Sequence, residues 1–276
     1  MARYTIEGGR AGKQRLDVLA AVMQPLTASL LRRAGVSAGS RCLDVGRGGG
    51  HVSRELARIV GPAGRVVGID LDAEAIALAR ADAEADGLQN LVFRVGDAAR
   101  PDRGPHDVAY ARFLLSHVAD PRGVVAAMVS TLAPGGAVIV EDVDFSGSFC
   151  YPDCPAYRSY VELYRETVRR RGGNADIGPM LPALLRSAGL EDIAVNVCQQ
   201  AGMSGDAKLI NVVTLERISE AVVSEGVATA QEVREAIAEL RAYTEDPTTV
   251  MGCPRVVQAW GRRAPPLPPV ELGSHS

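Results

Sequence analysis

The chain has 276 residues, 47% of them hydrophobic, enough for one large α/β domain with a sizeable core. A net charge of -3 gives no general pull toward nucleic acid or an anionic membrane, and no run of 18 or more apolar residues is present to span one. The N-terminus also lacks an apolar signal segment, so the expectation is a soluble, cytoplasmic protein without a nucleic-acid or membrane partner.

Residues 1–15 are polar and read as a mobile arm, after which Leu16, Leu19, Ala20, Met23, Leu26, Leu30 and Leu31 recur at helical spacing. Arg41 to Val45 is a short strand that runs into glycines at 46, 48, 49 and 50, and a helical pattern starts at Val52. Further strands are expected at 65–70, 91–95, 107–112, 137–142 and 193–198, with helices at 73–86, 121–132 and 179–188 between them. Pro134-Gly-Gly136 reads as the turn into the fifth strand. Strands that alternate with helices predict an α/β fold with a doubly wound, mostly parallel sheet.

After Asp144 the rhythm breaks. Residues 145–177 are rich in aromatics and carry Arg169-Arg-Arg171; two helices at 207–225 and 229–243 then precede a last apolar strand at 255–260. The expected organisation is an N-terminal arm and helices over 1–34, a core domain over 35–264 and a disordered Pro-rich tail over 265–276. The core domain carries helical lid insertions at about 145–177 and 201–250. The cysteines (Cys42, Cys150, Cys154, Cys198, Cys253) are odd in number and form no Cys-x-x-Cys, which argues for free thiols.

A strand, a glycine turn and a helix start suit a nucleotide-type ligand, because glycine permits positive φ and close approach. An ordinary βα turn that needed glycine reads the same way in isolation. A dinucleotide site wants Gly-x-Gly-x-x-Gly, and counting from Gly46 and Gly48 the third glycine is His51. That argues against a nicotinamide-dependent oxidoreductase, as does the lack of a Tyr-x-x-x-Lys pair after the fourth strand.

Leu43-Asp-Val-Gly-Arg-Gly-Gly-Gly50, Gly68-Ile-Asp70, Gly96-Asp97 and Pro134-Gly-Gly136 occur in order at predicted strand ends. In this the chain resembles the class I, Rossmann-like S-adenosylmethionine-dependent methyltransferases over about residues 40–143. The resemblance implies a seven-stranded sheet with the last strand antiparallel and S-adenosylmethionine as cofactor. It places Asp44, Gly46, Gly48 and Gly50 at the methionine moiety, Asp70 at the ribose hydroxyls and Leu71 on the adenine. Asp97 would reach the adenine amino group with the Ala98 backbone alongside, and Arg112 would hold the methionine carboxylate. Taken alone, Asp97 could be a turn cap and Arg112 a surface ion pair. Arg47 departs from the family, which commonly has a small or thiol residue there; a cation beside a sulfonium must point outward or pair with an acid.

Methyl transfer needs alignment and exclusion of water more than covalent chemistry, so its motifs are weak. The candidates to orient the acceptor or take its proton are His117, Tyr4 and Glu141, with Asp144 beside them. His117 lies just beyond the fourth strand and has a suitable pKa class, although packing in the loop would explain it equally. Glu141, Asp142 and Asp144 cluster at a strand end, but no matching ligand set accompanies them and no metal is expected. Phe113, Phe145, Phe149 and Tyr151 are the candidate substrate-binding aromatics, and lid core is their competing role.

The expected activity is methylation of a small molecule at C, N or O. An aromatic or heteroaromatic natural-product scaffold is favoured, from a weaker likeness of Ala111-Arg-Phe-Leu-Leu-Ser-His117 to bacterial methyltransferases of secondary metabolism and quinone-like pathways. A non-catalytic cofactor-binding domain is the other alternative. Lid segments of this kind could also exchange contacts in a homodimer.

Overall fold

The computed structural model describes residues 9–46, 48–101 and 104–265, with side chains from Arg15 onward. Tyr4, Arg47 and the tail from residue 266 lie outside the described residues. In chain order the elements are α1 (Gly9–Arg33), β1 (Arg41–Val45), α2 (His51–Val60), β2 (Arg65–Asp70), α3 (Ala73–Ala85), β3 (Leu91–Val95) and β4 (His106–Arg112). They continue with α4 (Pro121–Ser130), β5 (Leu132–Asp144), β6 (Cys150–Tyr151), α5 (Pro155–Arg170), α6 (Leu181–Ser187) and β7 (Leu190–Cys198). The last are β8 (Ala201–Gly202), α7 (Asp206–Ser224), α8 (Ala230–Glu245), β9 (Val250–Gly252) and β10 (Arg255–Arg263).

Seven strands form one sheet in the order β3-β2-β1-β4-β5-β10-β7. β1 pairs in parallel with β2 and β4, and β10 runs antiparallel to both β5 and β7. This is the expected doubly wound topology, with the last strand inserted between the fifth and sixth strands of the sheet. The order reverses at β1 and β4, and their carboxyl ends are where open α/β sheets bind ligands.

Period-2 alternation lets each central strand feed two cores. Leu43 and Val45 face a cluster closed by α4 and α6, while Cys42 faces one closed by α1, α2 and α3. α2 buries Val52, Leu56 and Val60 at helical spacing, which brings its N-terminus to the glycine turn. Asp72 caps α3, accepting the Glu74 and Ala75 N–H groups at 2.9 and 3.1 Å, so the chain leaves β2 immediately after Asp70.

Two expectations need correction. The arm expected over 1–15 is helical from Gly9, and α1 continues through Pro25 without a break. Pro134-Gly-Gly136 is no turn: it lies inside β5, where pairing with β4 steps from His106–Leu132 to Val108–Ala137. Gly135 takes φ 76° at this irregularity, the left-handed conformation a bulge often requires. The two lid insertions are stitched together by β6-β9-β8, a small sheet whose two- and three-residue strands carry no readable alternation.

The lid is a packed layer. Phe145, Tyr157, Tyr160 and Tyr164 pack with Val212, Leu215 and Ile218 of α7 and Val233 and Leu240 of α8. α1 lies against α7, so the N-terminal helix and both insertions cover the carboxyl end of the sheet from one side.

Candidate active site

The site is built from the ends of β1, β2 and β4. Gly46, Gly48 and Gly50 all take left-handed backbone, with φ of 67°, 53° and 74°. At Gly46 a Cβ would also lie 2.8 Å from a Leu114 side-chain carbon, so this position needs glycine on two counts. Asp70 closes β2, and its two carboxylate oxygens accept the Gly48 N–H at 2.9 Å and the Asp72 N–H at 3.0 Å. A carboxylate has about four acceptor sites, so capacity for a vicinal diol remains. The Gly96 N–H donates to the Asp70 carbonyl at 2.9 Å and brings the end of β3 alongside.

The cofactor candidates divide between two surfaces. Asp44, Gly46, Gly48 and Arg112 line a cleft between the glycine turn and the lid, a concave site with a few polar groups on an apolar lining. Gly50, Asp70, Leu71, Asp97 and Ala98 do not line it. Leu71 is 70% exposed beyond β2, and Asp97 is exposed beyond β3. The Asp97 carboxylate accepts the Ala99 N–H at 2.9 Å, the turn-forming bond expected as its competing role. The buried Asp44 carboxylate accepts the Ser53 hydroxyl, which ties β1 to α2 under the glycine turn.

α1 roofs the cleft with Leu16, Leu19 and Met23. His51, the first residue of α2, bonds Asp17 of α1 through Nε2 at 3.0 Å and so joins roof to floor. Burial and the Arg54 charge push the His51 pKa down while Asp17 pulls it up. The far wall is aromatic: Phe113, Phe145, Tyr160 and Tyr164, with Phe145 stacked on Tyr164 at 4.0 Å between ring centroids. Phe113 has φ 52°, left-handed backbone for a bulky residue, at the point where β4 opens into the cleft.

His117 faces this wall, and its Nε2 lies 3.4 Å from the Tyr164 hydroxyl. The turn that carries it (Leu115–His117) is held by Asp142, whose carboxylate accepts the Ser116 N–H at 3.0 Å. Burial, and secondarily the Arg15 charge, push His117 down to about 3. Its imidazole is therefore neutral at physiological pH but a weaker proton acceptor than its residue type predicts.

Four expected acceptor-side residues are not brought to the cleft. Glu141 is fully buried, and it accepts from Tyr110, from Thr27 at 2.6 Å and from Gln258 at 2.8 Å. It braces α1, β4 and β10 instead of meeting an acceptor. Phe149 and Tyr151 are 44% and 73% exposed on the outer side of the lid, because the chain turns outward to pair β6 with β9. Asp144 is taken up by Arg255, at 2.6 Å.

The cleft also holds groups the sequence reading missed. Arg15 of α1 and Asn211 and Thr214 of α7 line it, and Arg15 Nε donates to Thr214 Oγ1 at 3.1 Å. The signal was present: Leu-Ile-Asn-Val-Val-Thr-Leu over 209–215 is an apolar run broken by two polar residues three apart, which puts both on one face of a helix. For Arg15 no sequence pattern distinguishes it from the polar arm before it.

Residues 36–175 match the family described as "Methyltransferase domain". The chain belongs to that family. Together with the sheet order, this gives the class I methyltransferase fold. The methyltransferase domain is 34% identical over 115 residues to a ubiquinone biosynthesis O-methyltransferase of Acinetobacter baumannii, covering 41% of this chain and 47% of that one. It is 32% identical over 192 residues to an uncharacterized 37.1 kDa protein in a Streptomyces fradiae transposon, covering 68% and 54%. The chain thus spans about half the length of the curated relatives it matches. Among solved structures it is similar to a Haemonchus contortus phosphoethanolamine N-methyltransferase in complex with S-adenosyl-L-methionine, with TM-score 0.53, 20% identity and coverage of 86% and 51%. The cyclase SpnF matches with TM-score 0.52, 21% identity and coverage of 87% and 81%. A cyclase on the same fold means that the fold does not choose the reaction; the site must.

Proposed function

We propose that this methyltransferase domain transfers a methyl group from S-adenosylmethionine to a small molecule with an aromatic or heteroaromatic body. One observation carries the reading: the left-handed Gly46–Gly50 turn is pinned to the Asp70 carboxylate and opens directly onto an aromatic-walled cleft.

The residues present fit the cofactor. Asp70 offers acceptor capacity to the ribose hydroxyls, and Leu71 offers an exposed apolar face to the adenine. Among the described residues Arg112 donates only to Thr27, at 3.2 Å, and has no carboxylate partner, so its guanidinium suits the methionine carboxylate. When bound, S-adenosylmethionine supplies an electrophilic methyl on a sulfonium.

The protein's own part is alignment and exclusion of water. The α1 roof and the Phe113, Phe145, Tyr160 and Tyr164 wall hold a flat acceptor away from solvent. His117, neutral and held in place by the turn on Asp142, orients the acceptor by a hydrogen bond; its depressed pKa makes it a poor store for the proton. The ubiquinone and demethylmenaquinone methyltransferases among the relatives favour a quinone-like aromatic acceptor.

The test is incubation of the purified protein with methyl-labelled S-adenosylmethionine and a cell extract, followed by mass spectrometry. The expected result is a labelled aromatic product heavier than its precursor by one methylene unit. Absence of S-adenosylhomocysteine binding by calorimetry would exclude the reading.

A further inference from the structure

Among the described residues two guanidinium groups line the cleft, Arg15 and Arg112, and the cofactor has one carboxylate. Arg112 stands at the end of β4, beside the glycine turn, and is tied to Thr27 of α1. Arg15 is held by a different element, against the lid, where its Nε bonds Thr214 of α7. Arg15 is 9% exposed and lines the cleft, and among the described residues it has no carboxylate partner. Guanidinium cannot shed its proton to relieve burial, so a buried Arg without an anion calls for one. Its bond to Thr214 uses only Nε, which leaves the paired terminal nitrogens as a planar fork that matches a carboxylate.

Asn211 makes the same argument from the acceptor side. It is fully buried on the cleft wall, three residues before Thr214 and so on the same face of α7. Its Nδ2 donates to the carbonyls of Ala207 and Lys208 at 3.3 and 3.4 Å, while Oδ1 has no hydrogen-bond partner. Exchanging the two ends of the amide would set Oδ1 against two carbonyl oxygens, so it is the oxygen that remains open. Arg15, tethered to Thr214, and Asn211, one turn away on the same face of α7, thus bring a cation and an open acceptor to one wall of the cleft.

We propose that the methyl acceptor is an organic acid, with its carboxylate held by Arg15 and a hydroxyl or N–H donor of the same molecule bound by Asn211 Oδ1. This rests on the methyl-transfer reading above and narrows it to anionic acceptors. Arg15 and Asn211 are then the specificity-determining residues of the cleft, and Thr214 holds the Arg15 fork in place.

The experiment uses the full chain loaded with S-adenosylhomocysteine and reads thermal shift and calorimetry against matched probes. The probes are 4-hydroxybenzoate, a hydroxynaphthoate and indole-3-acetate, each beside its own methyl ester. At least one acid is expected to bind about tenfold or more tighter than its ester, the discrimination one charge-assisted pair supplies. Arg15→Met should abolish that preference, Arg15→Lys should retain part of it, and Asn211→Leu should weaken these donor-bearing acids while leaving the acid-over-ester preference in place. If Arg15→Met does not fold, Arg15→Gln replaces it, with S-adenosylhomocysteine binding as the check on folding.

Equal binding of acids and esters, binding of no acid, or a preference that survives loss of the Arg15 charge overturns the proposal. So does a tenfold loss of S-adenosylhomocysteine affinity in Arg15→Met with the acid preference unchanged, which would assign Arg15 to the methionine carboxylate. Failure of the wild-type chain to bind S-adenosylhomocysteine is a different result, and it removes the methyl-transfer reading itself.

Discussion

The Asp70 carboxylate accepts the Gly48 N–H at 2.9 Å, so the residue that closes β2 also pins the turn that follows β1. Asp70 thus has two duties: it shapes the glycine turn and presents acceptor oxygens beside it. Asp70→Ala should lose both, and S-adenosylhomocysteine affinity should fall by about 10–100-fold in calorimetry, the loss expected for one or two charge-assisted hydrogen bonds. Asp70→Asn keeps one acceptor oxygen and should fall between. Wild-type affinity in Asp70→Ala would remove this residue from the ribose site.

Two glycines separate conformational strain from steric demand. Gly39 and Gly46 both have positive φ, 83° and 67°, but a Cβ at Gly39 meets nothing within 4 Å, whereas at Gly46 it meets Leu114 at 2.8 Å. Alanine at either position should cost about 1–2 kcal/mol of stability through the left-handed backbone, read from urea denaturation. Only Gly46→Ala should also weaken S-adenosylhomocysteine binding, because Leu114 must move and Gly46 lines the cleft.

The fold was legible where strand ends carry chemistry. Asp44, Asp70 and Gly96-Asp97 mark the carboxyl ends of β1, β2 and β3 because short buried strands leave little freedom over where a polar residue can sit. The lid was not legible in the same way. Its strands are two or three residues long, and whether an aromatic faces in or out depends on a pairing 99 residues distant in sequence, Tyr151 with Val250. Phe145 and Tyr151 are both aromatics of one segment, yet one lines the cleft and the other is 73% exposed. Glu141 was misread for a related reason: a carboxylate at a strand end looks available until Tyr110, Thr27 and Gln258, from three other elements, close on it.

That enclosure makes Glu141 a test of structure against chemistry. Glu141→Ala strands the Tyr110 hydroxyl and the Gln258 amide in the core and should cost about 3 kcal/mol or more in chemical denaturation. Glu141→Gln keeps the shape and one acceptor oxygen, so its cost should be smaller. Because the side chain does not line the cleft, S-adenosylhomocysteine affinity of the folded Gln variant should stay within a few-fold of wild type. A Gln variant of unchanged stability that forms no methylated product would instead make Glu141 a participant in the reaction.

His117 and Asp142 give the protein an acid response in which two opposing contributions overlap. His117 has its ordinary value of 6.5 when unfolded and about 3 when folded, so between these pH values the unfolded chain binds the extra proton. Its contribution is a loss of stability as pH falls below about 6.5. Asp142 is shifted the other way, from 3.8 to about 6 through burial, so across that window the folded chain binds the extra proton and gains stability as pH falls. Near pH 5 the two nearly cancel. His117→Asn removes one of them, and the variant should gain on wild type by about 1 kcal/mol for each pH unit between 6 and 4. Urea denaturation at pH 7, 5.5 and 4.5 measures the difference. A stability gap that does not change with pH would mean that His117 protonates freely in the folded protein, and the neutral, acceptor-orienting imidazole would then have to be abandoned.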